Sequence, residues 1–247
     1  QIMDTHSPYF PIPEVAGTWA TDVPFDETST FPSQEDEIRD LYAAGTPGLV
    51  EAVNGVYDEQ ILGLDHELLR LRRVLNDFNV QKDTLVVITA DHGEMLGEDG
   101  RFGHMSDLDT RLVHVPLILW YDGLPPQTQN CLSENVDTLP TLLSALGIAV
   151  PDTLDGHPLQ AGCRSYARSS IYLRDGTVGE LMVEDGTNRL SWNCVEPRVN
   201  FEHPDGQPPT QVQAKALFDE LQAFHDDVIA HVPGQEQCQF PTWEQVL

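Results

Sequence analysis

The most distinctive segment of the chain reads Thr84-Leu-Val-Val-Ile-Thr-Ala-Asp91-His92-Gly93-Glu94. Apolar and β-branched residues over 84–90 predict a buried strand of a parallel sheet, apolar on both faces. Asp91 and His92 follow at the carboxyl end of this strand, which is where open α/β sheets bind ligands. An Asp oxygen beside a His nitrogen suits a divalent metal, and Gly93 allows the backbone to turn tightly around it.

The same segment has a second interpretation, in which a strand is followed by an ordinary polar turn. Aspartate and glycine are common turn residues. Short motifs also match by chance. The choice between a metal site and a turn therefore depends on the rest of the chain.

The charge balance excludes one class of partner and indicates an unusual solvent. The 247 residues carry 13 lysines and arginines against 40 aspartates and glutamates, which gives a formal net charge of −27. Nucleic acid is excluded as a partner because its phosphates would be repelled. The acids are dispersed among predicted strands and helices, which disfavours both a disordered tail and a dedicated cation-binding run. We expect a protein from a halophile, since an acidic surface stays hydrated and its self-repulsion is screened in concentrated salt.

The length of the chain is enough for a sizeable core, either as one large α/β domain or as a domain with a small appendage. No run of 18 apolar residues occurs, so we expect no transmembrane helix. The first residues lack a basic-then-apolar pattern, so we expect no signal peptide in this chain; a cytoplasmic location is favoured over secretion. Four cysteines occur at widely spaced positions, as buried thiols or as one or two disulfides. We favour thiols, because a chain of this size does not depend on covalent cross-links.

The pattern along the chain predicts an α/β core over residues 1–160 and a small α+β subdomain over 161–247. Helices are predicted from Ser33, over about 50–78, from Asp137 to Leu146, and over 211–231. A second buried strand is predicted over 115–121. Beyond residue 162, alternating segments separated by Asp-Gly turns predict a small antiparallel sheet. Gln1 to Asp4 resemble the end of a further strand.

Several segments together resemble the sulfatases of the alkaline phosphatase superfamily. The segment with Asp91 and His92 is similar to the metal-binding strand end of that family. Five further segments resemble other parts of the family and occur in the order it requires: Asp4-Thr-His6-Ser-Pro-Tyr9; Tyr57-Asp58 with Ile61 and Asp65; Gly103-His104 before Val115-Pro-Leu-Ile118; Val136-Asp-Thr-Leu-Pro-Thr-Leu-Leu143 before Gly147-Ile148; and Gly156-His-Pro-Leu159. The resemblance covers residues 1 to about 160.

This resemblance implies a fold, a reaction and a set of roles. The fold would be an α/β sandwich with a mostly parallel central sheet flanked by helices. The reaction would be metal-dependent hydrolysis of a sulfate ester, with a small molecule or a glycan as substrate. Asp91 and His92 would bind the metal, which is usually Ca²⁺ and in relatives Mg²⁺, Mn²⁺ or Zn²⁺. His6 and His104 would be catalytic residues that contact the sulfate and the leaving group, although His104 could instead coordinate metal.

The chain departs from the family pattern at the nucleophile. That family uses a formylglycine made within C-x-P-x-R or S-x-P-x-R, and neither pattern occurs. Cys194-Val-Glu-Pro197-Arg198 has its proline one place late, and we interpret it as a coincidence. We therefore expect an incomplete, inactive piece whose partner would be the N-terminal segment that carries the nucleophile.

Two alternatives remain open for the function. A phosphodiesterase, phosphonate hydrolase or phosphoethanolamine transferase of the same superfamily would keep the Asp-His and Gly-His motifs. A non-catalytic scaffold would keep only the fold. Glu94 is either a support behind the metal ligands or a solvated carboxylate.

The halophile hypothesis makes a prediction about stability. We expect the chain to lose structure in low salt, because 40 acidic against 13 basic side chains repel one another when they are not screened. Thermal melts followed by circular dichroism in low and in multimolar KCl test this. An unchanged melting temperature would contradict the hypothesis.

Overall fold

A computed structural model describes residues 5–104, 108–122, 128–203, 206–207, 209–235 and 238–246. The predicted strand end at Gln1 to Asp4 lies outside these residues. The chain divides into two compact units, described separately here. Unit 1 contains Gln1–Met105 and Thr110–Pro126, and unit 2 contains Ser106–Asp109 and Gln127–Leu247. The predicted domain boundary at residue 160 concerns the end of the resemblance and stays a prediction.

Three α-helices and two small sheets form the described part of unit 1. Its elements are α1 (Ser33–Ala43), α2 (Leu49–Asp77), β1 (Val86–Thr89), β2 (Met95–Leu96), β3 (Phe102–Gly103), α3 (Thr110–Val113) and β4 (Leu117–Trp120). The first half of α2 carries the core, where Val53 and Val56 are fully buried against Ile38 of α1 and Tyr9 of the preceding loop. The pattern of buried residues on α2 ends at Gly63.

The pairing of β1 corrects one sequence prediction. β1 pairs antiparallel with β4, with Val86 opposite Trp120, and these two strands form a two-stranded sheet within the described residues. The run around β1 was expected to lie buried in a parallel sheet, but its residues are only half-buried and Ile118 of β4 is 52% exposed. An apolar strand indicates burial on both faces but not the direction of its neighbour. That direction follows from the connection, which here returns the chain in the opposite sense.

A buried glutamate attaches the loop of residues 15–20 to α2. The carboxylate of Glu59 accepts hydrogen bonds from the backbone N–H groups of Gly17, Trp19 and Ala20, at 3.1, 2.7 and 2.9 Å. This loop is largely exposed and has no strand ladder, so without Glu59 these N–H groups would have to bond to water. The buried carboxylate therefore fixes the loop to α2.

Unit 2 combines an antiparallel sheet with one long helix, as predicted for the C-terminal part of the chain. The sheet has the order β5 (Ala167–Tyr172), β6 (Val178–Glu184), β7 (Arg189–Asn193) and β8 (Arg198–Glu202). α5 (Gln211–His231) begins with a capping box between Thr210 and Gln213. Its residues Leu217, Phe218 and Leu221 pack with Leu181 and Trp192 in one core. Unit 2 also contains α4 (Thr138–Ala145) and α6 (Trp243–Val246).

The cysteines correct a second expectation, since all four are disulfide-bonded. Cys131 pairs with Cys163 and Cys194 with Cys238, with Cα–Cα distances of 5.1 and 4.8 Å. Both distances lie within the ordinary range for a disulfide. The partners are 32 and 44 residues apart in sequence, so only the folded chain brings them together. Chain length alone was a poor argument for thiols.

A buried ion pair organises the segment around α4. Asp137, whose side chain is fully buried, accepts hydrogen bonds from Nε and Nη2 of Arg164 at 2.7 and 2.6 Å. It also accepts from the backbone N–H groups of Glu134 and His157. Burial raises the pKa of Asp137, but the bonds from Arg164, Glu134 and His157 outweigh it and hold that pKa below its ordinary value.

Among the described residues, no helix combines the length and the apolar character needed to cross a membrane.

The Asp137–Arg164 pair predicts a loss of stability on substitution. We expect Asp137→Asn to reduce the free energy of unfolding by about 3 kcal/mol, since it removes the nearer counter-charge of a mostly buried guanidinium and leaves it with Glu134 at 3.5 Å. Urea unfolding in high KCl measures this, with exposed Asp152→Asn as the matched control.

The same pair predicts a pH dependence. The folded pKa of Asp137 is lowered, so its ionic contribution is complete above the ordinary value of 3.8 and is lost as pH falls through the folded value. The difference in stability between wild type and Asp137→Asn should therefore shrink below about pH 4. A difference independent of pH would contradict this assignment.

Candidate active site

The predicted metal ligands lie in the loop that follows β1. The carboxylate of Asp91 is 76% exposed, and its Oδ1 accepts a hydrogen bond from the backbone N–H of His92 at 3.1 Å. Its Oδ2 lies 4.0 Å from Nε2 of His92. Both side chains therefore stand at the carboxyl end of a strand, as expected from the sequence.

Gly93 makes the turn after His92 possible. Its N–H donates to the carbonyl oxygen of Leu112 at 2.8 Å. A Cβ atom at this position would lie 1.9 Å from the carbonyl oxygen of Arg111, which is closer than two non-bonded atoms can approach. Only glycine allows this close approach of two backbones.

The β2–β3 hairpin places His104 opposite Glu94. Met95 pairs with Gly103 in antiparallel register, so the residues just outside that pair face each other. Nδ1 of His104 lies 3.2 Å from Oε1 of Glu94, whose side chain is only 4% exposed. Of the two alternatives for Glu94, a solvated carboxylate is therefore excluded, because its side chain is buried.

Three histidines from distant parts of unit 1 meet at this hairpin. The ring of His92 stacks on the ring of His104 with centroids 4.2 Å apart, and the ring of His6 meets His104 edge-on at 4.8 Å. His6 is held by the loop that follows it, because the N–H of Tyr9 donates to Oε1 of Gln34 at 2.6 Å. The sequence-predicted residues His6, His92 and His104 are therefore neighbours.

Each of these rings directs Nδ1 toward an acceptor. Nδ1 of His6 contacts the carbonyl oxygen of Ser7, and Nδ1 of His92 lies 2.9 Å from the carbonyl oxygen of Gly93. A carbonyl oxygen only accepts hydrogen bonds, so the neutral form of each ring carries its proton on Nδ1. In both rings, Nε2 then carries the lone pair.

An ion pair on α1, between buried Glu35 and partly exposed Arg39, supports the hairpin from behind. Nη2 of Arg39 donates to Oε2 of Glu35 at 2.7 Å and to the carbonyl oxygen of Phe102 at 3.2 Å. Gly103 adopts φ +85, and a Cβ there would press on Glu35 and Arg39 at 3.2 and 3.3 Å. Sequence reasoning missed Glu35 and Arg39. Their i, i+4 spacing indicates a helical ion pair but not what it supports.

Burial shifts two of the site's titratable groups toward their neutral forms. Burial, followed by the charge of Glu35, raises the pKa of Glu94 to about 7. Burial, followed by the neighbouring His92 and His6, lowers the pKa of His104 below its ordinary value. His104 is therefore neutral at physiological pH, with a proton on one ring nitrogen only.

Asp91 and His92 fit a divalent cation as far as two ligands can. Two donors on one cation can lie up to about 4.5 Å apart, and Oδ2 of Asp91 and Nε2 of His92 are 4.0 Å apart. Among the residues that the structure describes, no three His, Cys, Asp or Glu side chains converge closely enough to hold an ion by themselves. Further ligands would have to come from elsewhere.

Comparison with known proteins defines the class. The sulfatase family profile matches residues 1–148, and solved sulfatases share the fold. The chain belongs to the sulfatase family. The α/β fold class and the resemblance found in the sequence are confirmed.

The relatives are considerably longer than this chain. Choline-sulfatase of Rhizobium meliloti is 31% identical over 208 residues, which cover 76% of this chain and 40% of that protein. The low-salt glycan biosynthesis sulfotransferase Agl7 of Haloferax volcanii is 41% identical over 78 residues, which cover 30% and 19%. A protein solved with its substrate D-glucosamine-2-N,6-O-disulfate has a TM-score of 0.62 at 20% identity and covers 83% and 48%. The chain thus spans less than half of each.

The close approach at Gly93 generates a prediction for the site. We expect Gly93→Ala to destabilise the chain by about 3 kcal/mol or more, because the new methyl group overlaps a backbone oxygen and forces the loop of His92 apart. Thermal melts measure this. Gly45→Ala is the matched control, since its surroundings are open and only a positive φ of 72° is strained, at a cost of about 1 kcal/mol. Equal losses in the two variants would contradict this account.

Proposed function

We propose that this chain supplies one wall of the active site of a metal-dependent hydrolase that cleaves sulfate esters. The main support for this proposal is that His6, His92 and His104 lie together, with His104 in contact with buried Glu94, in a chain that belongs to the sulfatase family. Cleavage of a sulfate ester leaves an alkoxide that needs a proton, and it builds negative charge on the sulfate oxygens. Imidazoles near neutrality serve both needs.

His6 and His104 are assigned to the substrate. Their rings lie in edge-to-face contact, with His104 mostly buried and neutral. We assign His6 and His104 to the sulfate and the leaving-group oxygen, with His6 as the proton donor to the leaving alkoxide. Because Nδ1 of His6 is engaged with the carbonyl oxygen of Ser7, the donated proton is one that Nε2 has first taken up. Metal coordination by His104 is the alternative, and the metal titration below distinguishes the two roles.

Asp91 and His92 are assigned to the metal. When bound, a divalent cation neutralises charge that develops on the sulfate oxygens. Ca²⁺ is our first expectation from the family resemblance, with Mg²⁺, Mn²⁺ or Zn²⁺ as alternatives. A mixed oxygen and nitrogen donor pair is compatible with Mn²⁺ and Zn²⁺ on ligand chemistry. Asp91 orients its neighbour through the hydrogen bond from the His92 backbone.

The nucleophile is proposed to lie outside these 247 residues. Both disulfides support this, because Cys131, Cys163, Cys194 and Cys238 are all paired and none is available for conversion to formylglycine. The proposed partner is therefore the segment that carries the nucleophile. The substrate would be a small sulfate ester or a sulfated glycan, and nucleic acid is excluded by the charge of −27.

A phosphorus substrate is the second candidate. The multifunctional alkaline phosphatase superfamily protein PehA of Trinickia caryophylli is 30% identical over 115 residues, which cover 45% of this chain. The hydrolysis of phosphonate monoesters and of sulfate monoesters builds negative charge on non-bridging oxygens in both cases, so the same site residues could stabilise either reaction. Parallel assays of an aryl sulfate and an aryl phosphonate decide between these substrates.

The central prediction concerns activity. Expressed from its complete reading frame and supplied with Ca²⁺, Mg²⁺, Mn²⁺ or Zn²⁺ in turn, the protein should hydrolyse an aryl sulfate. We expect Asp91→Asn, His92→Ala and His104→Gln each to reduce kcat/KM by about 100-fold or more. His66→Gln, on the exposed surface of α2, is the control and should be silent. Metal titration should be weakened by the first two variants and unaffected by His104→Gln.

The isolated 247-residue chain provides the complementary test. We expect it to show no turnover, because two metal ligands and two histidines lack a nucleophile. Robust turnover by this chain alone would contradict the proposed missing nucleophile. No turnover and no metal binding by the complete protein would instead favour a non-catalytic scaffold.

A further inference from the structure

We infer that Glu94 is a positioning residue that holds the proton of His104 on Nδ1, so that His104 presents Nε2 on the same terms as His6 and His92. The inference rests on the proposed function only for the role of that nitrogen, whose lone pair can bind the metal or take up the second proton that His104 needs before it donates to the sulfate or the leaving-group oxygen. The hydrogen bond itself is a property of the folded chain.

The β2–β3 hairpin brings Glu94 and His104 together. Register between β2 and β3 places Glu94 and His104 opposite each other, and Nδ1 lies 3.2 Å from Oε1. In its ionised form Glu94 accepts hydrogen bonds and cannot donate one, so the ring nitrogen that faces the carboxylate then carries the proton. Nε2 of the same neutral ring then carries the lone pair.

Glu94 is also buried. Its side chain is 4% exposed, and a carboxylate without solvent is costly unless its hydrogen-bonding capacity is used. The pair also fixes the ring, since His104 is stacked on His92 at 4.2 Å and met edge-on by His6 at 4.8 Å. A ring held on three sides keeps its orientation before substrate arrives.

The three histidines differ in the group that accepts the hydrogen bond from Nδ1. In His6 and His92 the acceptors for Nδ1 are backbone carbonyl oxygens, those of Ser7 and Gly93. In His104 the acceptor is the side chain of Glu94. The three rings therefore share one tautomer, but only His104 depends on another side chain for it. A substitution at Glu94 can change this ring and spare the other two.

Histidine tautomers can be observed directly by nuclear magnetic resonance. The protein expressed from its complete reading frame, labelled with ¹⁵N in its histidines, is measured at pH 8 in high KCl by two-bond ¹⁵N–¹H correlation. His104→Gln assigns the signals of His104 by their loss. In wild type we expect the proton of His104 on Nδ1. In Glu94→Leu it should shift to Nε2, and in Glu94→Gln, whose amide oxygen still accepts, it should remain on Nδ1.

His6 and His92 are internal controls in the same spectra. Their tautomers should be unchanged in every Glu94 variant, which separates a local effect on His104 from a disturbed fold. A wild-type His104 with its proton on Nε2 would overturn the inference, and this needs no variant to fold. Retention of the Nδ1 proton in folded Glu94→Leu would overturn it as well.

The outcome is separable from the proposed function. If the proton is on Nδ1 but the complete protein cleaves no sulfate ester, the proposed function fails and the positioning role stands. If the protein is active but His104 carries its proton on Nε2, the positioning role fails alone. In the active enzyme, we expect Glu94→Leu to lower kcat more than it raises KM, and Glu94→Gln to restore most of that loss.

Discussion

Buried carboxylates that accept hydrogen bonds hold unit 1 together. Its two sheets have only two strands each within the described residues, so many backbone groups of its loops lack a ladder partner. Glu59 pairs three of them in the loop of residues 15–20. Glu35 fixes Arg39, which in turn holds the carbonyl oxygen of Phe102. The position of His104 depends on this last contact, because His104 follows directly after β3.

The sequence predicted which candidate residues lie together better than it predicted the residues that support them. Asp91, His92, His6 and His104 were identified because each belongs to a segment that resembles the family, and the three histidines are indeed neighbours. Glu94 was undecided, since a single glutamate after a glycine has no periodic pattern. Its burial became visible only through the register of a hairpin whose strands are two residues long. Strands this short leave almost no alternation from which to predict pairing.

The fold showed the same division between local and long-range information. Helices and the C-terminal antiparallel sheet were predicted, because periodicity and Asp-Gly turns are local signals. The direction of β4 beside β1 and the two disulfides were not, because both depend on segments that meet only in the folded chain. The buried pair of Asp137 and Arg164 belongs with them. Asp137 looked like a helix start, yet its carboxylate binds a guanidinium 27 residues away.

The histidine cluster shows how a loop-rich unit can still present a defined set of nitrogen atoms. A neutral imidazole has two tautomers, and a site that depends on its lone pair needs one of them. Backbone carbonyl oxygens decide this for His6 and His92, and they cannot be lost by substitution of a side chain. His104 depends on a buried carboxylate whose pKa is raised to about 7 by its surroundings. The least robust of the three tautomers therefore belongs to the ring at the centre of the cluster, because its acceptor is a side chain that a single substitution can remove.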